Sequence, residues 1–287
     1  MESLICYKKL PLWNHDSIPQ GFKNQHNTKA GTWAKLTILK GELHFSMLEQ
    51  SGEVLSEHIF TIDNQPTFIE PQAWHKIVSA SPDIECQLSF YCEPHDYFSK
   101  KYQLAAVHSE VMAALPHLKQ GQALDIGCGS GRNTLFLSQN GFKVDAWDFN
   151  ENSILKLNDI SQAEQIKNIQ TQIRDLNQNS NIQGHYDFIC CTVVMMFLQP
   201  ATIPQLIKSM QQATLPLGFN LIVCAMDTVE HPTQSDFAFT FKTDELRDYY
   251  KDWKIIKYNE NPGQLHRLDA NGNPIKQQFA TILAQKI

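Results

Sequence analysis

The stretch ALDIGCGSGRN, residues 123–133, decides how the second half of this chain folds. Ala123, Leu124 and Ile126 read as a buried strand carrying Asp125. Gly127, Gly129 and Gly131 then make a turn, and RNTLFLSQN (132–140) follows as a helix closed by Gly141. Glycine tolerates positive φ and lets backbone approach a ligand with no Cβ in the way. Strand, glycine turn and helix together therefore predict a site for a nucleotide-like ligand at a helix N-terminus.

Two features point to S-adenosylmethionine and away from a dinucleotide. The carboxylate of Asp125, just before the glycines, would repel a pyrophosphate but attract the cationic methionine end of the cofactor, and the spacing is GxGxG, not GxGxxG. The next strand, FKVDAWD, ends at Asp148, 17 residues after Gly131, where an acidic side chain holds ribose hydroxyls. Without a ligand, Asp148 would only cap the helix that starts near Asn150. Asp175 in IRDLN falls where such folds meet the adenine amino group, with Leu176 offering an amide. The fourth strand, YDFICCTVVMMFL, ends in apolar residues and lacks the acidic Pro-Pro motif that grips an exocyclic amine, so methylation of a base or glutamine nitrogen is disfavoured.

Outward from this site, residues 96–287 alternate strand-like runs (IQTQI, FNLIVCAM, WKIIKY, FATILAQ) with helical ones (ENSILKLNDI, IPQLIKSMQQA, TDELRDYY), the pattern of an α/β domain with a mostly parallel sheet. Thr243 is expected to cap the last of these helices. Residues 1–95 read differently. WAKLTIL, GELHFSML, VLSEHIF, WHKIVSA and IECQLSFYC are short β-runs between turns, a small antiparallel sandwich or barrel, with the linker near Glu93 to Tyr97.

Composition narrows the partners. A net charge of -6 without a basic cluster provides little to neutralise phosphates, so nucleic acid is not expected as substrate. The sequence has no apolar run of the ~18 residues a membrane span needs and no signal-peptide pattern at its start, so a cytoplasmic protein is expected. Seven cysteines form no CxxC pair and sit mostly in apolar runs, where reduced thiols pack as small hydrophobes. His26, His58 and His75 lack the HxH pair and following glutamate of a cupin metal site, so no metal is expected.

Over nearly its whole length the chain resembles the TehB family of tellurite-resistance methyltransferases, in the long form with an extra N-terminal domain. The segments that carry the resemblance are HNTKAGTWAKLTILKGEL and EPQAWHKI in the first half, then YFSKKY, LDIGCGSGRN, AWDFNENSI, YDFICCTVVMMFL, GFNLIVCAMDT, YYKDW and NENPGQLHRLDANGN. The resemblance implies a seven-stranded class I methyltransferase fold behind a small all-β cupin-like domain. It also implies methylation of tellurium and selenium oxyanions for detoxification. Carried over residue by residue, Asp125, Gly127, Gly129, Arg132, Asn133, Asp148, Asp175, Leu176, Thr192 and Val193 would line the cofactor, with Tyr102 and His108 as lids over it. The chain departs from the family pattern at Pro274, where an arginine is common, and at Thr233, where a cysteine follows the proline.

Methyl transfer from a sulfonium is an in-line displacement that needs alignment more than a base. Tellurite or selenite offers a lone pair on its central atom, so cationic donors to its oxygens would hold it with that lone pair free. His266 and Arg267, in an expected loop from Asn259 to Lys276, suit that task; the alternative is that both are solvated loop residues. Two other functions remain open on the sequence: methylation of a thiol or small carboxylate, and an oxyanion sensor.

Overall fold

The structure, a computed structural model, describes residues 4–233, 235–268 and 271–287, with His266 and Arg267 described through their backbone. The chain divides into two compact units, Met1–Leu104 and Ala105–Ile287.

The first unit contains β1 (Ile5–Lys9), β2 (Trp13–Asn14), α1 (Gln20–Lys23), β3 (Trp33–Lys40), β4 (Leu43–Leu48), β5 (Val54–Phe60), β6 (Trp74–Ala80), β7 (Glu85–Cys92) and α2 (Tyr97–Tyr102). The five expected β-runs are β3 to β7. β7 takes β3 along one edge and β1 then β2 along the other, and β5-β4-β6 form a second antiparallel sheet. Alternation sets the core: Ala34, Leu36 and Ile38 of β3 are buried together with Leu43 and Phe45 of β4 and Cys86 and Leu88 of β7, while the residues between them are more open. Helix α2 belongs to this unit because Lys100 Nζ donates to Ala30 O at 3.0 Å and to Thr32 Oγ1 at 3.1 Å.

The second unit contains α3 (Ser109–Ala114), β8 (Gln122–Ile126), α4 (Arg132–Gln139), β9 (Lys143–Asp148), α5 (Glu151–Ala163), β10 (Ile169–Ile173), β11 (Tyr186–Thr192), α6 (Thr202–Ala213), β12 (Thr214–Ala225), α7 (Glu245–Tyr249), β13 (Lys254–Leu268) and β14 (Pro274–Gln285). They build one seven-stranded sheet, ordered β10-β9-β8-β11-β12-β14-β13. The first five strands are parallel and β14 runs antiparallel to both its neighbours. The fold is thus α/β with a mostly parallel central sheet, behind an all-β region. Strand β11 is central: Phe188, Ile189, Cys190 and Cys191 are fully buried because helices cover both faces. On α6, Ile203, Leu206, Ile207, Met210 and Ala213 repeat every three or four residues, and all are buried.

Two local expectations change. Helix α7 is preceded by Asp244 at φ 60, not capped by Thr243; Glu245 Oε2 instead accepts from Lys242 N at 2.9 Å. The expected loop from Asn259 to Lys276 is mostly hairpin. β13 and β14 pair from Lys254 and Gln285 up to Leu268 and Pro274, whereas β14 pairs β12 only from Phe279 onward. The outer part of the hairpin therefore projects past the sheet as a two-stranded arm. Proline and glycine in NPGQ had marked a loop, but Pro262 and Gly263 fit on an outermost strand, where a missing donor or side chain is tolerated. No helix among the described residues is long and apolar enough to cross a membrane.

His75, 4% exposed, is held neutral in the first unit, because burial lowers its pKa from 6.5 to about 4, with a further push from His26. As pH falls below 6.5 the unfolded chain takes up a proton that the native unit refuses, so stability present at neutral pH is lost between about pH 6.5 and 4. The loss is about 3 kcal/mol by linkage. His75→Phe should flatten that part of the pH profile. Denaturation midpoints from pH 7.5 to 4.5, followed through β3, β4 and β6 amide signals, test this; equal slopes in both proteins would show that His75 titrates as if exposed.

Candidate active site

The glycine turn is pinned from below. The amides of Gly127 and Cys128 both donate to Trp147 O, at 2.8 and 2.9 Å, and the amide of Gly129 donates to Asp148 Oδ2 at 2.8 Å. These donors are spent on the end of β9, so the turn supplies a ligand with shape and room more than with hydrogen bonds. A Cβ on Gly131 would stand 2.4 Å from Leu157 of α5, and one on Gly127 would stand 2.2 Å from Val194. A Cβ on Gly129, at φ 54, would meet no atom within 4 Å, so that side of the turn is open.

Asp125 lies beneath the turn at 1% exposure. Its carboxylate accepts from Thr134 Oγ1 at 2.6 Å and from Cys190 Sγ at 3.4 Å. Burial raises its pKa, against those two hydrogen bonds and the charge of Arg132. Its oxygens are thus engaged by α4 and β11 beneath the turn. Arg132 is half-buried; burial lowers its pKa and Asp125 opposes the shift.

A cavity of about 460 Å³ opens beside the turn, at the carboxyl ends of β9 and β11. Gly127, Asp148, Asp175, Leu176 and Val193, all expected at the cofactor, line it. Each Asp148 oxygen already accepts one backbone amide, Gly129 or Asn150, which fixes the carboxylate while leaving a lone pair on each oxygen. Asp175 is exposed and folds its own loop by accepting from Asn177 N and Gln178 Nε2, both at 2.9 Å. Further liners were not singled out in the sequence, Trp147, Phe149, Arg174 and Phe197 among them. Phe149 and Phe197 are 74% and 64% exposed, and the Arg174 guanidinium stacks 4.0 Å above the Trp147 ring. The available signal was an aromatic residue on each side of Asp148 in WDF; Phe197, two strands later, gave none.

Other expected residues serve the frame. Asn133, 3% exposed, donates to Thr192 Oγ1 at 3.1 Å and accepts from His108 N at 3.1 Å, tying α4 to β11 and to the start of α3. His108 caps α3, its Nδ1 accepting from Glu110 N at 3.2 Å. Tyr102 belongs to the first unit, its ring against Phe98 and Lys101. The side chains of His266 and Arg267 lie outside the described residues; their backbone is part of the β13 arm. Of the three histidines considered for a metal, His26 and His75 come together, while His58 bonds Ser56 and stacks on Phe60.

A second cavity of about 670 Å³ lies between α3, α4 and the β13–β14 hairpin, lined by His108, Glu110, Arg132, Lys257, Asn259, Asn261 and Gln264 among others. Lys257 Nζ holds Glu110 at 2.6 Å. Val193 lines both cavities at φ 62, a conformation that a β-branched residue rarely adopts. Its amide donates to Val223 O at 2.7 Å, and such strain marks places where structure is set by function. The six buried cysteines all have thiols pushed up by burial, so none is poised as a nucleophile.

A family model described as tellurite resistance protein TehB matches residues 90–283, and one described as TehB-like domain matches residues 8–88. A probable S-adenosyl-L-methionine-dependent methyltransferase TehB of Haemophilus influenzae is 51% identical over 283 residues, 99% of this chain and 98% of that protein. Hemagglutinin 1 of Eikenella corrodens is 42% identical over 239 residues, 83% of this chain and 79% of that protein. The crystal structure of TehB from Haemophilus influenzae superposes with a TM-score of 0.94 at 51% identity, covering 99% of each chain.

Asp148→Ala removes the anchored carboxylate at the cavity. Affinity for S-adenosylmethionine should fall by ~1.5–3 kcal/mol, the worth of charge-assisted bonds to ribose hydroxyls, in a protein that still unfolds cooperatively. Calorimetric titration measures it, and unchanged affinity in a folded variant would remove Asp148 from the site.

Proposed function

We propose that this chain, which belongs to the TehB family of S-adenosylmethionine-dependent methyltransferases, methylates a small soft oxyanion, tellurite or selenite, and so detoxifies it. The observation that carries this reading is the meeting of the two cavities at the strained Val193. The first fits the cofactor: Gly129 leaves room, Asp148 presents fixed acceptors to the ribose, and Phe149, Phe197 and Leu176 flank the adenine space, with Asp175 at its edge. Bound S-adenosylmethionine supplies an electrophilic methyl group on a sulfonium, whose C–S bond breaks as the bond to the nucleophile forms.

The second cavity then holds the acceptor. Arg132 brings positive charge, Asn259, Asn261 and Gln264 bring amide donors, and Glu110, the carboxylate among the described lining residues, is neutralised by Lys257. Such a set holds oxyanion oxygens by charge-assisted hydrogen bonds and leaves the central atom's lone pair for the methyl carbon. Alignment of this kind is worth up to about 7–11 kcal/mol of barrier, so no general base is required. A thiol acceptor would need deprotonation, and the Nδ1 lone pair of the lining His108 is already taken by Glu110 N. His266 and Arg267 directly follow Leu265, itself a wall residue, and we assign them to the oxyanion as well.

His266→Ala and Arg267→Ala should each lower the specificity constant for selenite by about 10- to 150-fold, the cost of one charge-assisted contact, and leave cofactor affinity unchanged. Release of adenosylhomocysteine with selenite and with 2-mercaptoethanol, beside a cofactor titration, makes the comparison. Arg267→Ala should spare the thiol reaction. Wild-type rates in both variants would return the pair to solvent, and a pure affinity loss would make them cofactor contacts.

A further inference from the structure

The first unit contains a cavity of about 400 Å³ between its sheets, within the range that holds small-molecule ligands. Most of its wall is apolar, including Trp13, Phe22, Phe45 and Phe90. Its polar equipment is selective. The charged residues in the lining are Lys8, Lys29 and Lys100, and no carboxylate accompanies them among the described residues. In a chain of net charge -6, three cations around one cavity without a carboxylate favour an anion.

Two imidazoles complete it. His26 and His75 pack ring against ring, centroids 4.2 Å apart, inside a frame of Phe22 edge-on to His26 and Phe45 stacked on His75. Each Nδ1 faces a carbonyl, Asn24 O at 2.9 Å or Ala73 O at 2.8 Å. A carbonyl only accepts, so Nδ1 carries the proton in both rings, and in a neutral ring Nε2 is then an acceptor. His26 Nε2 is buried with no hydrogen-bond partner among the described residues. An unmatched buried acceptor destabilises a fold, and phenylalanine would fill the same space without that penalty. The pair suits a ligand that donates. It does not suit a metal, since no third histidine, cysteine, aspartate or glutamate among the described residues joins the two rings.

We propose that this cavity binds a small amphipathic acid: a flat apolar body, an N–H or O–H group donated to the imidazoles of His26 and His75, and an anionic group met by Lys8, Lys29 and Lys100. The site is separate from methyl transfer and does not rest on the acceptor assigned above. Indole-3-acetate combines all three features and serves as the probe. Calorimetry on the full chain should show saturable 1:1 binding outside the S-adenosylmethionine site, so that saturating cofactor does not displace it.

Methylating the indole nitrogen should weaken binding about tenfold, and so should replacing the acetate by a methyl group, each change removing one interaction. His26→Phe should lower affinity for indole-3-acetate and erase its advantage over the N-methyl analogue. Lys100→Met should instead narrow the gap between the acid and 3-methylindole. The ligand comparisons on the unaltered protein stand even if a variant fails to fold. Absence of saturable binding at millimolar probe, displacement by cofactor, or equal affinity for the acid and its N-methyl analogue would each overturn the proposal.

Discussion

Everything in the second unit is organised around one buried carboxylate. A charge at the position of Asp125 is costly unless its oxygens are occupied, and two neighbouring elements occupy or balance it: α4 through Thr134 and the charge of Arg132, and β11 through Cys190. Because those partners flank the glycine turn, satisfying Asp125 fixes where β8 ends, where α4 begins and how β11 lies beside them. The turn inherits its shape from that arrangement and clamps the end of β9 with its own amides. Asp148 is in turn held where it faces the cavity. The acidic residue nearest the glycines therefore builds the turn, and the one a strand later lines the cavity.

This division of labour explains what the sequence made legible. Elements set by local pattern were readable: the strand periodicity of WAKLTIL and YDFICC, the amphipathic face of IPQLIKSMQQA, and Gly141 ending α4 at φ 88. The places of Gly127, Asp148, Asp175 and Leu176 at strand ends were also readable from motif spacing, and that of Val193 from the family resemblance. What stayed hidden depends on neighbours distant in sequence. That Asn133 and Thr192 would satisfy each other, or that Phe197 would join Phe149 at one cavity, needs the register of β11 against β8. The arm was missed because Pro and Gly signal turns in isolation, and nothing local says that an outermost strand is tolerant of both.

The acceptor assignment gives the cysteines a second meaning. Tellurite and selenite react with thiolates, and an enzyme that handles them benefits from having none exposed. Six of seven cysteines are buried, and their thiols are pushed up in pKa by the same burial. Packing, not a special chemical device, achieves this: Cys190, Cys191 and Cys224 lie on strands covered on both faces, and Cys86, Cys92 and Cys128 are buried elsewhere in the two units.

The β13–β14 arm is, mechanically, a cantilever. Its root is bonded to β12 and shares the rigidity of the sheet; its outer half has only one partner strand and no third strand to stiffen it. Isolated two-stranded ribbons twist more than sheets and open at lower free energy than the domain around them. The tip carries the backbone of His266 and Arg267 while the stem lines the acceptor cavity. Bending beyond Gln277, which Met226 and Thr233 still hold, would thus change the cavity's mouth without disturbing Asp148 or the turn. Amide exchange should grade along the hairpin, slowest near Ile282 and fastest towards Pro274, as expected of a beam clamped at one end.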